Sequence, residues 1–155
     1  MDLILWRHAE AVESDDAAGD LERPLTSRGE RQAARMAAWL NQHLPATTRV
    51  LASPARRTQQ TALALERKFR TVPALAPDAS VTALLEAARW PDAKEPVLVI
   101  GHQPTLGMTA AQLLSGADQP WAVKKGAVWW LRSREREGEG QVVLVNVISP
   151  DQVRT

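Results

Sequence analysis

The chain has 155 residues, 45% of them apolar and 24% charged, with a formal net charge of +1 and no cysteine. That length fits one domain with a substantial core; the charge balance gives no global attraction for nucleic acid, and the lack of thiols excludes disulfides and thiolate metal sites. No apolar run approaches the roughly 20 residues that span a bilayer, and the start Met1-Asp2-Leu3-Ile4-Leu5-Trp6 is too short and too acidic for a signal peptide, so a cytoplasmic protein is expected.

Residues 3–6 form a short apolar run that predicts a buried strand. A polar stretch follows from residue 13 to 26, with Ser14-Asp15-Asp16, Gly19 and Pro24, and loops of that length tend to be functional. Ser27 and Glu30 have the spacing of a capping box, and Ala33, Met36, Ala37 and Leu40 then recur at helical period. Residues 49–52 predict a second strand. Ser53-Pro54 is expected to open the next helix, serine as N-cap and proline in the first turn, with Ala55, Ala62, Leu65 and Phe69 as its buried stripe. Residues 72–75 give a weak third strand interrupted by Pro73, and residues 80–88 a short helix on Val81, Leu84 and Leu85. The run at 96–100 is continuous and β-branched, the mark of a parallel strand covered on both faces. Gly101-His102-Gln103-Pro104 then turns into a helix carrying Leu106, Ala110, Leu113 and Leu114. Residues 127–131 and 141–148 predict an antiparallel pair around a charged turn at 132–140. Strand followed by helix, repeated up to residue 114, predicts an α/β fold: a single domain over residues 1–155, built as a three-layer α/β/α sandwich. Its central sheet is mostly parallel, with antiparallel strands near the C-terminus.

In open α/β sheets ligands bind beyond the carboxyl ends of the strands. Three such ends carry chemically capable residues: Arg7-His8, Ser53-Pro54-Ala55-Arg56-Arg57 and Gly101-His102-Gln103-Pro104. Two of the three histidines in the chain fall there. Arg56 and Arg57 sit in the first turn of a predicted helix, where each cation is unfavourable by roughly 0.3–1 kcal/mol unless an anion is held at the same spot. The arginine fork suits phosphate oxygens. A neutral imidazole is a good nucleophile and its phosphorylated form is labile to water, while a second histidine and the arginines can stabilise charge on a transferring phosphoryl group.

Arg7-His8-Ala9, Ser53-Pro54-Ala55-Arg56-Arg57-Thr58-Gln59-Gln60-Thr61 and Gly101-His102 resemble, in order, the three signatures of the histidine phosphatase (phosphoglycerate mutase-like) superfamily, over residues 1 to about 115. The short chain, Arg23-Pro24-Leu25-Thr26 and Gly101-His102-Gln103-Pro104 are similar to the SixA-type phosphohistidine phosphatases in particular. The resemblance implies that His8 is the phosphorylated nucleophile, Arg7 its neighbouring phosphate ligand, Arg57 rather than Arg56 the phosphate ligand of the second signature, and His102 the second pocket histidine. It implies further phosphate or substrate contacts from Arg23 and Gln103. Alanine stands at position 9 where glycine is usual, so the backbone there is expected to need no glycine-only conformation.

Superfamily members that cleave phosphate esters use a carboxylic acid to protonate the leaving alkoxide. Asp78 and Glu86 lie in the right third of the chain, but Glu86 falls on a predicted amphipathic helix, where a solvated carboxylate is the ordinary reading. Imidazole leaves readily, because its conjugate acid has a pKa near 6.5, so cleavage of a P–N bond dispenses with a strong acid. The expected activity is a metal-independent, cofactor-free phosphatase acting on phosphohistidine of a protein such as a phosphorelay domain, with inorganic phosphate as product. A phosphomonoesterase or mutase of the same fold, and a catalytically dead phosphate-binding module, stay open as alternatives; neither nucleic acid nor membrane is an expected partner. His43 is read as helix capping, Trp90 and Trp121 as packing residues in loops, Trp129 and Trp130 as facing opposite sides of a strand, and Lys124-Lys125 as surface, suited to docking an acidic partner but without one in evidence.

Overall fold

A computed structural model describes residues 1–14 and 17–154; Asp15 and Asp16 of the predicted polar segment, and Thr155, lie outside them. Six strands form one sheet in the order β3-β2-β4-β1-β5-β6. They are β1 (Asp2–Arg7), β2 (Arg49–Ala52), β3 (Arg70–Thr71), β4 (Val97–Gly101), β5 (Val128–Arg136) and β6 (Glu139–Ile148). The β1–β4, β2–β4 and β2–β3 pairs are parallel, and β5 and β6 add antiparallel to the β1 edge. Four helices, α1 (Ser27–His43), α2 (Arg56–Leu63), α3 (Val81–Ala88) and α4 (Thr105–Ser115), cover the sheet. No helix among the described residues is long and apolar enough to cross a membrane.

The alternation of side chains along a strand divides the core in two. Ile4, Trp6, Leu98 and Ile100 pack with Met36, Ala37, Leu40 and Ala62 of α1 and α2, whereas Leu3, Leu5, Val97 and Val99 pack with Leu84, Leu106 and Ala110 of α3 and α4. Trp130 joins the first cluster and Trp129 the second, as strand geometry requires. The chain therefore leaves β1 toward one face through α1 and leaves the adjacent β4 toward the other through α4. Neighbouring strands whose connections depart to opposite faces open a crevice at their carboxyl ends. Register puts Arg7 opposite Gly101 and Ala52 opposite Ile100, so His8, Ser53 and His102 all emerge at that crevice.

Several local expectations shift. The cap of α1 is Thr26, whose hydroxyl accepts from the Gly29 amide at 2.9 Å, one residue before the predicted Ser27. Gly29 fixes this register: a Cβ there would lie 2.0 Å from the Glu10 carbonyl oxygen. α2 begins at Arg56, two residues later than expected, with no side-chain cap, and ends at Leu63, so Leu65 and Phe69 pack from the segment beyond it. β3 is the residue pair Arg70–Thr71; the predicted strand at 72–75 is a 3-10 turn after Val72, consistent with the missing amide of Pro73. The charged stretch at 132–140 is mostly ladder, since β5 runs to Arg136, β6 starts at Glu139, and Arg132 pairs with Asp2 at 2.7 Å.

Candidate active site

The strand ends, the connection from β1 to α1 and the start of α2 bring Arg7, His8, Arg23, Arg57, His102 and Gln103 to one cavity of about 260 Å³. His8 and His102 are nearly buried, 6% and 4% exposed, with ring centroids 5.4 Å apart. The His8 Nδ1 lies 2.7 Å from the Ala9 carbonyl oxygen. A carbonyl only accepts, so Nδ1 carries the hydrogen and Nε2 keeps its lone pair. Burial first, and then the charges of Arg57, Arg7 and Arg23, push the His8 imidazole down to about 4, partly opposed by the Ala9 bond. At neutral pH the ring is uncharged and its Nε2 is an unprotonated base.

His102 Nε2 lies 2.7 Å from the Ser53 hydroxyl oxygen, which also accepts from the Ala55 amide at 3.2 Å. Ser53 is fully buried, and donating its hydroxyl hydrogen to Nε2 satisfies it. That choice puts the hydrogen of His102 on Nδ1, which is buried without a protein partner. Burial, followed by His8, Arg57 and Arg7, pushes His102 down to about 3, while Asp20 acts the other way.

Of the two adjacent arginines at the start of α2, Arg56 points outward, its Nη1 3.5 Å from the Glu22 carbonyl, and Arg57 is 4% exposed. Arg57 donates to the Asp20 carbonyl at 2.8 Å and to the Asp20 carboxylate at 3.3 Å. Arg23 donates to the same carboxylate at 3.0 Å and to the Val12 carbonyl. Burial raises the Asp20 carboxyl, but the Arg23 hydrogen bond and both guanidinium charges outweigh it and hold it below its usual range. Arg7 donates to the Val123 carbonyl at 2.8 Å. Burial pulls Arg7 and Arg57 below the ordinary arginine value, and arginine remains cationic. Four buried side-chain polar atoms lack a partner among the described residues, and three of them are Arg7 Nε, Arg57 Nε and His102 Nδ1. Desolvated donors of this kind are costly unless an acceptor meets them.

The Gln103 side chain lines the cavity, but its amide is engaged elsewhere: it donates to the Trp121 carbonyl at 2.8 Å and accepts from the Gly107 amide at 2.7 Å. Gly107 is needed there, because a Cβ would lie 1.7 Å from the Trp121 carbonyl oxygen. Gln103 thus locks the start of α4 to the 121–126 segment. Asp78 and Glu86 are both exposed, and neither lines the cavity. His43 stacks on Trp39 and bonds its carbonyl at 2.7 Å, away from the site, and Trp90 and Trp121 pack into the core. No sequence pattern singles out Asp20, Glu13 or Lys125 as site residues, yet Glu13 and Lys125 line the cavity. Ser53, expected from the sequence as a helix cap, meets His102 in the structure. No group of three or more histidine, aspartate or glutamate side chains able to hold a metal ion occurs among the described residues.

Comparison with known proteins agrees with this architecture. The model of the histidine phosphatase superfamily (branch 1) matches residues 3–79. The phosphohistidine phosphatase SixA of Escherichia coli K12 is 34% identical over 128 residues, 77% of this chain and 78% of that protein. A solved protein histidine phosphatase SixA complexed with tungstate superposes with a TM-score of 0.74 at 29% identity, covering 97% of this chain and 98% of the other. A structure assigned as SixA from Nakamurella multipartitia gives a TM-score of 0.76 at 29% identity over 96% and 95% of the two chains. From a matched segment that begins in β1 and takes in α2, and from relatives aligned along most of both chains, the chain belongs to the histidine phosphatase superfamily.

Proposed function

We propose that this protein is a phosphohistidine phosphatase that works through a covalent phosphohistidine on His8. The observation that carries the reading is the trio of buried, unpartnered donors, Arg7 Nε, Arg57 Nε and His102 Nδ1, around an imidazole held neutral with Nε2 free. A phosphoryl group accepts from such donors, which then stabilise its spreading charge without reorganising. The Nε2 lone pair attacks phosphorus as the P–N bond of the substrate breaks; its electron pair leaves with a substrate ring already protonated on the other nitrogen, so that a neutral imidazole departs. Water then attacks the phosphorus on His8, the new P–N bond returns its electrons to Nε2, and inorganic phosphate departs.

The P–N substrate is supported by the carboxylates. Asp20 is held ionised between two arginines, and Asp78 and Glu86 lie off the cavity. A neutral imidazole leaves without an acid of that kind. Beyond α2, the chain that leads to β4 contributes only Pro77 to the lining among the described residues, which leaves room for a side chain on a protein surface. A second reading, hydrolysis of phosphate esters, is favoured by one observation: Glu13 lines the cavity and, among the described residues, is the carboxylate there able to serve a leaving alkoxide.

The test is phosphate release, in EDTA, from a histidine-phosphorylated protein domain beside a panel of phosphomonoesters, with His8→Ala and Glu13→Gln variants. Rapid release from phosphohistidine, abolished in His8→Ala and kept in Glu13→Gln, is the expected result. Strong ester hydrolysis that collapses in Glu13→Gln would transfer the assignment to the second reading, and turnover surviving in His8→Ala would end the covalent mechanism.

A further inference from the structure

Next to the active-site cavity lies a second cleft of about 310 Å³, walled by Arg28, Arg35, Lys124, Lys125 and the turn at residues 149–151. Lys125 lines both cavities, so the cleft opens directly beside the phosphoryl pocket. Among the described residues four cations line it against one carboxylate, Asp151, whose oxygen already accepts from the Ser149 hydroxyl at 2.6 Å. Arg28 has Glu10 at 3.6 Å, but its side chain is 69% exposed, and an exposed pair of this kind holds a charge only weakly. With a net charge of +1 over the whole chain, such a concentration is local.

The two lysines are carried on a fixed segment. The Trp121 carbonyl is bound by Gln103 and the Val123 carbonyl by Arg7. The Gly126 carbonyl is bound by the Trp6 indole at 3.0 Å, and the Gly126 amide donates to the His8 carbonyl at 3.0 Å. Gly126 itself sits at φ +76°, where a Cβ would approach Pro150 Cγ at 2.8 Å. The backbone that holds the nucleophile therefore also holds Lys124-Lys125. Like charges fixed side by side repel one another and are relieved when an anionic surface meets them.

We propose that this cleft is the docking surface for the protein that bears the phosphorylated histidine, and that this partner presents an acidic face to it. The proposal rests on the phosphohistidine reading above and adds the chemistry and position of the partner. A cavity of about 260 Å³ takes the phosphoryl group and its imidazole; the remaining contacts of a protein substrate fall on the rim, and on this side the rim is cationic. Charges at a rim act on encounter rate and specificity, and their effect fades with salt.

Lys124 and Arg35 line the second cleft but not the active-site cavity, so Lys124→Gln combined with Arg35→Gln probes docking alone. The substrates are a histidine-phosphorylated phosphotransfer domain with an acidic surface, and free phosphohistidine as the control for folding and chemistry. In the double variant kcat/KM on the protein substrate should fall roughly three- to tenfold, with a shallower salt dependence, while turnover of free phosphohistidine stays at the wild-type value. Unchanged kcat/KM on the protein substrate would overturn the docking assignment, and so would an equal loss on both substrates, which would give these cations to the pocket itself. Wild-type enzyme that leaves the phosphorylated domain untouched would end the substrate reading and this surface together, and that outcome is visible before any variant is made.

Discussion

Acidifying the solution from neutral pH to about 4.5 acts directly on the buried histidine pair. A histidine in the unfolded chain ionises near 6.5, whereas in the folded protein His8 is pushed down to about 4 and His102 to about 3, by burial first and by neighbouring cations second. Below pH ~6.5 the unfolded state therefore takes up a proton on each ring and the folded state does not. Stability from these groups is complete above the unfolded value and is lost as the pH falls toward the folded values. Each ring contributes a slope of about 1.4 kcal/mol per pH unit in that window, so the pair gives about 2.7 kcal/mol per pH unit. Against a total of about 5–15 kcal/mol for a typical domain, this is a large dependence. His8→Gln removes one of the two rings and should halve the slope to about 1.4 kcal/mol per pH unit. The assay is urea unfolding followed by tryptophan fluorescence at steps between pH ~4.5 and ~7, reading the extrapolated stability of both proteins. Equal slopes in wild type and His8→Gln would refute the claim that the folded protein keeps this ring neutral.

The other predictions follow from single contacts. Arg57→Lys keeps the charge but loses the fork that grips Asp20 with two nitrogens, and steady-state kinetics should record a fall in kcat/KM of about 10- to 100-fold; a value within twofold of wild type would mean that only the charge matters. Gly107→Ala drives a Cβ against the Trp121 backbone oxygen, which should cost about 1–3 kcal/mol and lower Tm by several degrees in calorimetry. Ser53→Ala removes the hydroxyl that meets His102 Nε2, so kcat should drop roughly tenfold with KM little changed, and stability should fall by about 1–3 kcal/mol; an unaltered kcat would show that the tautomer of His102 is fixed by something else.

How far the sequence reveals this protein depends on where the determining contact lies. β1 and β4 are continuous apolar runs buried on both faces, so composition alone marks them, and the polar residues just past their ends are placed by the strands themselves. β3 carries no such mark: its two residues are exposed, and pairing with β2 defines it. The charged hairpin is misread for the same reason, since its ladder is a partnership between strands and not an apolar pattern. Thr26 and Ser27 are both competent caps, and the choice between them is made by Gly29 meeting the Glu10 backbone, a contact no local window contains.

Within the site the same division holds. Arg7, His8 and His102 are read from strand ends, and Arg57 from the pattern at the start of α2. Ser53 looks like a cap because its role crosses 49 positions to His102. Asp20 is one acidic residue in a polar connection, with only its spacing to Arg23 as a local hint, yet its carboxylate joins two arginines of the cavity. Such a carboxylate has a definite physical role. With burial on both sides, Arg23 and Arg57 would repel each other and scatter into solvent, and Asp20 holds them converged until a stronger anion competes for the same donors. The strand ends thus supply the reacting groups, while the connection between β1 and α1 supplies the counter-charge that keeps them in place. That second contribution is the one a linear reading cannot reach, because its signal is a position in space shared by residues 20, 23 and 57.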